Sequence, residues 1–278
     1  MKMKKSVTIV IPTYNRVHKL AALLKSIVPF CREYEIPIII VDNKSTDTTP
    51  VLGEALEKKF RFITYFRNHL NIGAELNILR AVSASETSHV WCIGDDDLLS
   101  PRILNEFKKY SYYDNIINSG MSIFTNRVNA KRPLYFNNFK EFSKYAFQTD
   151  FEIITEITWI SGVIVERSLF DFGAGLRNLN QNFVHTYGYI FNIIKSNLSI
   201  TVIANKLVIE QSEKGPRAAE TKDYLDRVFQ YSIFNLLNKI AIATEITQSL
   251  SYEHYIECIA KRYALSAHQI AGEEPLRL

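Results

Sequence analysis

The chain has 278 residues, of which 47% are hydrophobic and 22% are charged, and its formal net charge is +4 at pH 7. This composition is typical of a folded globular protein and excludes a wholly disordered chain. The basic balance is too weak to indicate nucleic acid as a partner, although it suits a protein that handles anionic phosphates or rests on an anionic membrane. The three cysteines are widely spaced and form no CxxC pair, which indicates a reducing compartment and no structural zinc.

The start of the chain resembles a signal peptide only in its basic residues. The apolar run that follows stops at Pro12 and continues into polar residues, so it predicts a buried strand. No apolar stretch reaches the roughly 18 residues that a membrane-spanning helix needs. We therefore expect a cytoplasmic protein whose contact with a membrane, if any, is peripheral at the inner face.

Short β-branched runs alternate with amphipathic segments through the first hundred residues, which is typical of βαβ units around a mainly parallel sheet. Leucines and isoleucines at helical spacing follow the first strand, with Asn15 as the predicted N-cap and Pro29 near the helix end. Ser45 and Asp47 are placed to cap the next helix. The predicted strands cover residues 7–11, 36–41, 62–66 and 89–93.

Beyond Pro101 the alternation weakens, and a mixed sheet region is expected. Strands are predicted near residues 116–124 and 162–165, and a last strand at 200–209. Residues 212–217 are predicted to form a mobile loop. From about residue 218 the pattern is helical, and its apolar stripe is typical of packing or of an oligomer surface.

Polar residues follow each of the first four predicted strands. In open α/β sheets, ligands bind outside the carboxyl ends of the strands, so these residues are expected to converge on one edge. They are Pro12, Thr13, Tyr14, Asn15 and Arg16, then Asp42, Asn43, Lys44 and Ser45, then Arg67, Asn68 and Asn71, and finally Asp95, Asp96 and Asp97.

The three adjacent aspartates would repel one another and raise each other's pKa unless a cation neutralises them. Mg²⁺ or Mn²⁺ takes oxygen ligands and commonly bridges substrate phosphates, so a divalent cation is the economical interpretation. The alternative is a solvated acidic turn that caps the helix after Pro101.

Asp42 directly follows an apolar run, where a carboxylate can accept hydrogen bonds from a base or a ribose. The alternative is an Asx turn with Ser45. The sequence contains neither GxGxxG after the first strand nor GxxxxGK[ST], which excludes the dinucleotide fingerprint and the P-loop.

Four segments together resemble glycosyltransferase family 2, which has the GT-A fold. The segment that includes residues 71–77 and the turn from Gly94 to Asp97 resemble its abequosyltransferase-like branch, which decorates bacterial surface polysaccharides. The resemblance is good over residues 6–104, whereas the rest of the chain is similar only in the layout of its predicted elements. The four segments are Val7 to Arg16, Ile39 to Asp47, Arg67 to Gly73 and Ile93 to Asp97.

The resemblance implies an α/β GT-A fold with a mixed, mainly parallel central sheet and a C-terminal helical tail. The expected organisation is a donor-binding half at 1–110, an acceptor-binding half at 111–217 and a helical extension at 218–278, through which the protein could form oligomers.

The reaction implied is inverting transfer of a sugar from a nucleotide-diphosphate donor to a glycan or lipid-linked glycan acceptor, with Mn²⁺ or Mg²⁺ on the diphosphate. Asp95, Asp96 and Asp97 would hold ribose and metal. The other donor-binding residues would be Pro12, Thr13, Tyr14, Asn15, Asp42, Asn43, Asn71, Gly73 and Asn77.

Two departures from the family pattern concern the chemistry. The acidic turn of the family opens with Asp where this chain has Gly94, so the metal ligand is ambiguous; we favour Asp97, then Asp96. The family also places an acidic base about ninety residues beyond this turn, whereas no carboxylate occurs between Asp171 and Glu210. His185 lies in that stretch and could deprotonate an acceptor hydroxyl, although a packed histidine is the alternative.

Lys214 and Arg217 could fold over the donor diphosphate and stabilise the leaving group, or could belong to a solvated linker. Two rival functions stay open. A sugar-phosphate nucleotidyltransferase would also need metal, but it is expected to carry a Gly-rich basic loop after the first strand. A catalytically inactive nucleotide-sugar-binding module would explain the missing acidic base.

Overall fold

The computed structural model shows an α/β protein in which helices connect successive strands through the first hundred residues. Such crossovers are what parallel strands require. The structure describes residues 6–110, 112–149, 152–177, 184–205, 207–210, 236–237 and 239–245. The first strands are β1 (Val7–Thr13), β2 (Ile38–Asp42), β3 (Ile63–Arg67) and β4 (His89–Cys92), and the helices between them are α1 (Val17–Tyr34), α2 (Thr49–Lys59) and α3 (Ala74–Ser83).

The later elements are shorter and less regular, and 3₁₀ turns at Glu156–Thr158, Ile160–Gly162 and Arg167–Leu169 interrupt them. The strands are β5 (Asp97–Leu99), β6 (Met121–Phe124), β7 (Leu134–Phe136), β8 (Val163–Glu166), β9 (Ile200–Ile203) and β10 (Val208–Glu210). The helices are α4 (Ile103–Tyr110), α5 (Tyr112–Ile117), α6 (Phe139–Thr149), α7 (Glu152–Thr155), α8 (Phe172–Arg177) and α9 (Val184–Lys195).

Eight strands form one mixed sheet in the order β3-β2-β1-β4-β8-β6-β9-β7. The first four are parallel, and the direction reverses at β8, which is antiparallel to both β4 and β6. Thr13 pairs with Asp42, and Asp42 pairs with Arg67, so β1, β2 and β3 end side by side. This register confirms the predicted mainly parallel sheet and brings the strand ends together at one edge.

The parallel strands β1, β2 and β4 are buried on both faces, whereas the edge strand β3 is mostly exposed beyond Ile63. On one face of β1, Ile9 and Ile11 belong to the same core as Leu23 and Ile27 of α1. On the other face, Val10 packs in a cluster with Ala81 and Val82 of α3. Burial on both faces explains why the strand sequences are continuous apolar runs and do not alternate with polar residues.

The predicted strand at 116–124 is wrong in its first half. Tyr112, Tyr113 and Ile116 are buried in helix α5, where residues four apart share one face, and β6 begins only at Met121. Gly120 lies in the turn between α5 and β6. A Cβ at this position would lie 2.6 Å from Leu198 Cβ, so the turn has room only for glycine.

The predicted strand at 200–209 is two strands. β9 is parallel to β6 in the main sheet, whereas β10 is antiparallel to β5 in a separate two-stranded sheet. The Asn205 N–H donates to the Ile203 carbonyl at 2.7 Å, which closes a turn between the two strands. In the small sheet, Glu210 is opposite Asp97 and so ties the chain beyond β9 to the acidic turn.

The described part of the C-terminal tail packs against the second half. Leu236, Leu237, Ile240 and Ala241 are buried in the same core as residues of α6 and α9. Lys140 of α6 also forms an ion pair with Glu245 at 2.6 Å. Within the described ranges, no helix combines the length and the apolar character needed to cross a bilayer. The domain boundaries at 110 and 217 stay predictions, and the second of them lies outside the described residues.

Candidate functional site

An open cleft of about 400 Å³ lies where β1, β2 and β4 end. Loops that follow parallel strands project from the same edge, so residues far apart in sequence meet there. Among the residues that the structure describes, all that line the cleft except Ile160 come from the first hundred. They are Pro12, Thr13, Tyr14, Arg16, Asn43, Asn71, Gly73, Ala74, Asn77, Ile78, Gly94, Asp95, Asp96 and Ile160.

Asp95 and Asp96 line the cleft and share one cationic partner. Arg16 Nη1 lies 3.0 Å from Asp95 Oδ1 and 3.0 Å from Asp96 Oδ2. The other oxygen of Asp95 accepts a hydrogen bond from the Thr13 hydroxyl at 2.7 Å. The side chain of Asp95 is 6% exposed and that of Asp96 is 39% exposed, so Asp96 is the more accessible carboxylate to a ligand.

The electrostatics of this pair favour a positive charge in the cleft. Burial raises the pKa of the Asp95 carboxyl, and the neighbouring charge of Asp96 also raises it. Hydrogen bonds from Thr13 and Arg16, together with the charge of Arg16, lower the pKa of Asp95 without cancelling the effect of burial. A cation beside the two carboxylates would stabilise their ionised forms.

Asp97 is buried and does not line the cleft. Its carboxylate accepts a hydrogen bond from Ser161 Oγ, which itself accepts one from the Gly94 N–H at 2.8 Å. A Cβ at Gly94 would lie 3.1 Å from Asp96 Oδ1 and 3.2 Å from Asp97 Oδ2. This crowding gives a physical reason for glycine at the start of the turn. Metal binding by Asp97 stays a prediction.

A network of amides holds the turn before α3 against the loop after β2. Asn43 Nδ2 donates to Asn71 Oδ1 at 2.8 Å and to the Gly73 carbonyl at 3.2 Å. Asn43 Oδ1 accepts from the Ile72 N–H at 2.9 Å. Gly73 has φ of 83°, a conformation that strains any residue with a Cβ. The predicted donor-binding residues Asn43, Asn71 and Gly73 therefore lie together at the cleft.

Asn68 extends the amide network below the cleft. Its Nδ2 donates to Asn43 Oδ1 and to Asn77 Oδ1, both at 2.9 Å, and Asn77 Nδ2 donates to the Val41 carbonyl at 3.1 Å. Asn43, Asn68 and Asn77 are each no more than 3% exposed. Buried amides that are hydrogen-bonded to one another in this way hold their neighbours in one orientation.

Asp42 is fully buried and does not line the cleft. Its Oδ1 accepts from the backbone N–H of Ser45 at 2.9 Å and from the Ser45 hydroxyl at 2.5 Å. Its Oδ2 accepts from the Tyr65 hydroxyl at 2.6 Å and lies 3.4 Å from Arg67 Nε. Both oxygens are thus occupied within the protein, as in the Asx-turn alternative, and contact between Asp42 and a nucleoside stays a prediction.

Hydrogen bonds join the loop after β1 to the loop after β2. Asn15 has a left-handed φ of 52°, and its Oδ1 accepts from the Thr46 N–H at 2.6 Å. The prediction that Asn15 caps α1 is wrong, because Arg16 is the N-cap residue and the Val17 N–H donates to Asp47 Oδ2 at 3.1 Å. Pro29 also lies inside α1 and does not end it, since the helix continues to Tyr34.

At the end of β1 and just beyond it, Pro12, Thr13 and Tyr14 line the cleft as the predicted convergence requires, and the next residue, Asn15, is hydrogen-bonded to the loop after β2. Tyr14 is 41% exposed, which leaves its ring available to a ligand.

His185 lies in the first turn of α9, is buried and does not line the cleft. Burial lowers the pKa of its imidazole to about 4, and an interaction with the backbone of Thr158 opposes this shift. Thr158 precedes the cleft residue Ile160 by two positions. Glu156, in the same segment, pairs with Arg127 Nε at 2.9 Å. The role of His185 as a base stays a prediction.

Lys214 and Arg217 lie outside the described residues, and their role also stays a prediction. Arg16 and Asn68 were predicted to lie among the polar residues at the strand ends, but no role in donor or metal binding was predicted for either. Ser161 was missed, because its contacts with Gly94 and Asp97 span more than sixty residues and no local pattern marks it.

The residues at the cleft suit a metal ion that takes only some of its ligands from the protein. Among residues 6–245 that the structure describes, no three Asp, Glu, His or Cys side chains converge as a metal-binding group. Mg²⁺ in nucleotide sites is usually bound by one or two carboxylates, with waters and substrate phosphates completing the shell. Asp95 and Asp96 match this smaller donor set.

Comparisons with known structures identify the fold. The mannosyltransferase PcManGT from Pyrobaculum calidifontis, solved in complex with GDP-Man and Mn²⁺, has a TM-score of 0.56 and 15% identity over 98% of this chain and 77% of that one. S. aureus TarS 1-349 has a TM-score of 0.52 and 15% identity over 83% of this chain and 66% of that one. These likenesses confirm the predicted GT-A fold.

Sequence comparison identifies the family. The chain is 37% identical over 102 residues to the abequosyltransferase RfbV of Salmonella typhimurium, a match that covers 36% of this chain and 31% of that protein. It confirms the resemblance to the abequosyltransferase-like branch. The family described as Glycosyl transferase family 2 matches residues 8–167. Since this match spans more than half of the chain, the protein belongs to glycosyl transferase family 2.

Proposed function

We propose that the protein transfers a sugar from a nucleotide-diphosphate donor to a hydroxyl of a glycan or lipid-linked glycan acceptor, with inversion, during synthesis of a bacterial surface polysaccharide. The observation that carries the proposal is the cleft itself, where a carboxylate pair and a fixed set of amides meet at the ends of parallel strands. The similarity to the abequosyltransferase supports the pathway, and the mannosyltransferase bound to GDP-Man and Mn²⁺ supports the donor class.

The amide network offers the groups that would bind the nucleotide. Asn71 and Asn77 line the cleft together with Gly73 and Ala74, and Tyr14 contributes an exposed ring that could stack on a base. Since hydrogen bonds from Asn43 and Asn68 already fix these amides, ligand binding would need little reorganisation.

The carboxylates would hold a divalent cation on the donor diphosphate. The exposure of Asp96 favours it as the principal ligand with Asp95 beside it, whereas the sequence favours Asp97. When bound, such a cation neutralises charge that develops on the leaving diphosphate. Thr13 and Arg16 hold Asp95 in place at the cleft before any ligand arrives.

Inverting displacement requires a base on the acceptor side. His185 would be neutral at pH 7, as a base must be, but its low pKa makes it a weak proton acceptor. Glu156 is the second candidate, because its 3₁₀ turn lies just before the segment that brings Ile160 to the cleft.

The direct test is a thermal-shift panel of UDP, CDP, GDP and dTDP with and without Mn²⁺. Ligands that bind only the folded state raise its stability, by about 2.7 kcal/mol at a hundred times Kd. We expect one nucleotide to raise Tm, and Mn²⁺ to increase the rise. Asp96→Asn should remove the Mn²⁺-dependent part, and Asp97→Asn would do so as well only if Asp97 binds the metal.

The panel is followed by a transfer assay with the sugar donor of the nucleotide that binds. Release of nucleoside diphosphate by wild-type protein supports the enzyme, whereas binding without release indicates the inactive binding module. If none of the four nucleotides changed Tm under either condition, the proposed donor class would be wrong.

A further inference from the structure

Arg16 is attached to a fixed part of the loop after β1. Its backbone is the N-cap of α1, and its carbonyl accepts the Leu20 N–H at 2.9 Å. The preceding residue, Asn15, is held by the Thr46 N–H at 2.6 Å and donates its own N–H to Ser45 Oγ at 2.9 Å. The Cα of Arg16 therefore has little freedom to move.

The side chain of Arg16 reaches from this backbone into the cleft. It is 47% exposed and lines the cleft, and its guanidinium lies between the buried Asp95 and the half-exposed Asp96. A long side chain with a fixed origin can move its charged end by several ångströms through rotamer changes alone. A move of the guanidinium away from the two carboxylates therefore needs no change in the backbone around Arg16.

The same two oxygens cannot hold both a guanidinium and a metal ion in direct contact. Arg16 Nη1 lies 3.0 Å from both Asp95 Oδ1 and Asp96 Oδ2. A divalent cation placed between these oxygens would occupy the position of this nitrogen and would repel the positive charge on it. A diphosphate in the cleft would offer the displaced guanidinium a new anionic partner, because Arg binds phosphate oxygens well.

We propose that Arg16 competes with the divalent cation for Asp95 and Asp96, so that tight metal binding requires a donor diphosphate that draws Arg16 away. This inference rests on the proposed function. Its consequence is that the free protein binds metal weakly, and that metal and donor enter the cleft together.

The test measures Mn²⁺ binding to the free protein, by the loss of the electron paramagnetic resonance signal of aqueous Mn²⁺. Wild type is compared with Arg16→Gln, which removes the competing charge, and with Arg16→Lys, which keeps it. Arg32→Gln is the matched control, because it removes an exposed positive charge from the last turn of the same helix. Far-UV circular dichroism confirms that each variant is folded.

We expect Arg16→Gln to bind Mn²⁺ about five to ten times more tightly than wild type, since a partly exposed ion pair of this kind is worth on the order of one tenfold step in affinity or less. Arg16→Lys and Arg32→Gln should remain within about twofold of wild type.

In the thermal-shift panel with nucleoside diphosphate, Arg16→Gln should show a smaller nucleotide-dependent rise in Tm. Equal or weaker Mn²⁺ binding by Arg16→Gln would overturn the competition while leaving the proposed function intact. If neither protein bound Mn²⁺, with or without nucleotide, both the competition and the proposed metal dependence would fail.

Discussion

The first hundred residues and the rest of the chain contribute unequally to the cleft. The first part supplies every described lining residue except Ile160, and its loops are joined by hydrogen bonds between side chains such as Asn43 and Asn71. The second part reaches the acidic turn through Ser161, whose hydroxyl contacts both Gly94 and Asp97, and through the pairing of β10 with β5. Under the proposed function, donor binding would be built largely into the first region, and acceptor chemistry would depend on how the second region is positioned.

The variant with the largest expected effect tests whether the second region supplies the catalytic base. If His185 deprotonates the acceptor, His185→Ala should lower kcat by roughly a hundredfold to ten-thousandfold while donor affinity stays close to wild type. The acidic limb of the pH–rate profile should lie near pH 4, because a base loses activity as it becomes protonated and the pKa of His185 is about 4.

Glu156→Gln is the competing variant in the same assay. A large loss of kcat in Glu156→Gln, together with near-normal turnover in His185→Ala, would transfer the role to Glu156. Loss of donor binding in His185→Ala would instead indicate that the two regions are not separable.

The comparison between regions also explains what the sequence could and could not predict. Strands β1, β2 and β4 were predicted to within about two residues because they are apolar runs buried on both faces, and the edge strand β3 was predicted to within about one residue. In the second part, Ile116 and Ile117 favour a strand by propensity, but Ile116 is buried in helix α5. In short elements, packing overrides the strand or helix propensity of the individual residues.

Within the site, strand ends predicted which residues meet but not how their side chains are engaged. Asp42 and Asp97 lie at the predicted edge, yet both are buried against partners distant in sequence, Tyr65 and Ser161. Such partners become neighbours only through the register of the sheet and the path of later loops, which a single sequence does not specify.

A second prediction concerns pH and the stability of the second region. The pKa of His185 is about 4 in the folded protein and about 6.5 in an unfolded chain. Between these values the unfolded state binds a proton that the folded state does not, so stability is lost as pH falls from about 6.5 to about 4, by up to ~3 kcal/mol.

His185→Gln should flatten this part of the pH dependence in urea unfolding experiments, because Gln does not titrate. His18→Gln, at an exposed position on α1, is the matched control and should leave the slope unchanged. An equal slope in wild type and His185→Gln would show that burial of His185 is not linked to folding.

A third prediction tests the amide network of the first region. Asn68→Ala removes the donor to Asn43 Oδ1 and Asn77 Oδ1, and we expect unfolding to become easier by about 2 kcal/mol because buried acceptors lose a partner. The nucleotide-dependent rise in Tm should shrink as well. Asn118→Ala, at an exposed helix end, should cost less than about 0.5 kcal/mol. Normal nucleotide binding by Asn68→Ala would show that the network does not orient the cleft.

The smallest expected effect comes from a pair of glycines, one in each region. Gly94→Ala places a methyl group 3.1 Å from Asp96 Oδ1 and 3.2 Å from Asp97 Oδ2, so one carboxylate has to shift by a few tenths of an ångström. Asp96 is the one that can yield, because Asp97 is buried against Ser161. We expect the variant to lose about 1 kcal/mol of stability or less, because the crowding is slight.

Gly188→Ala is the matched change in α9, where the new methyl group would lie 3.6 Å from Phe170 in ordinary contact. Alanine is the better helix former, so this variant should be neutral or more stable by up to about 1 kcal/mol. The decisive measurement is the Mn²⁺-dependent rise in Tm with nucleoside diphosphate. It should fall in Gly94→Ala, because a shift of Asp96 Oδ1 also moves Asp96 Oδ2, the oxygen at the proposed metal site, and it should be unchanged in Gly188→Ala. If both variants responded to Mn²⁺ like wild type, the position of Asp96 would not control the metal, and Asp95 would become the principal ligand to test.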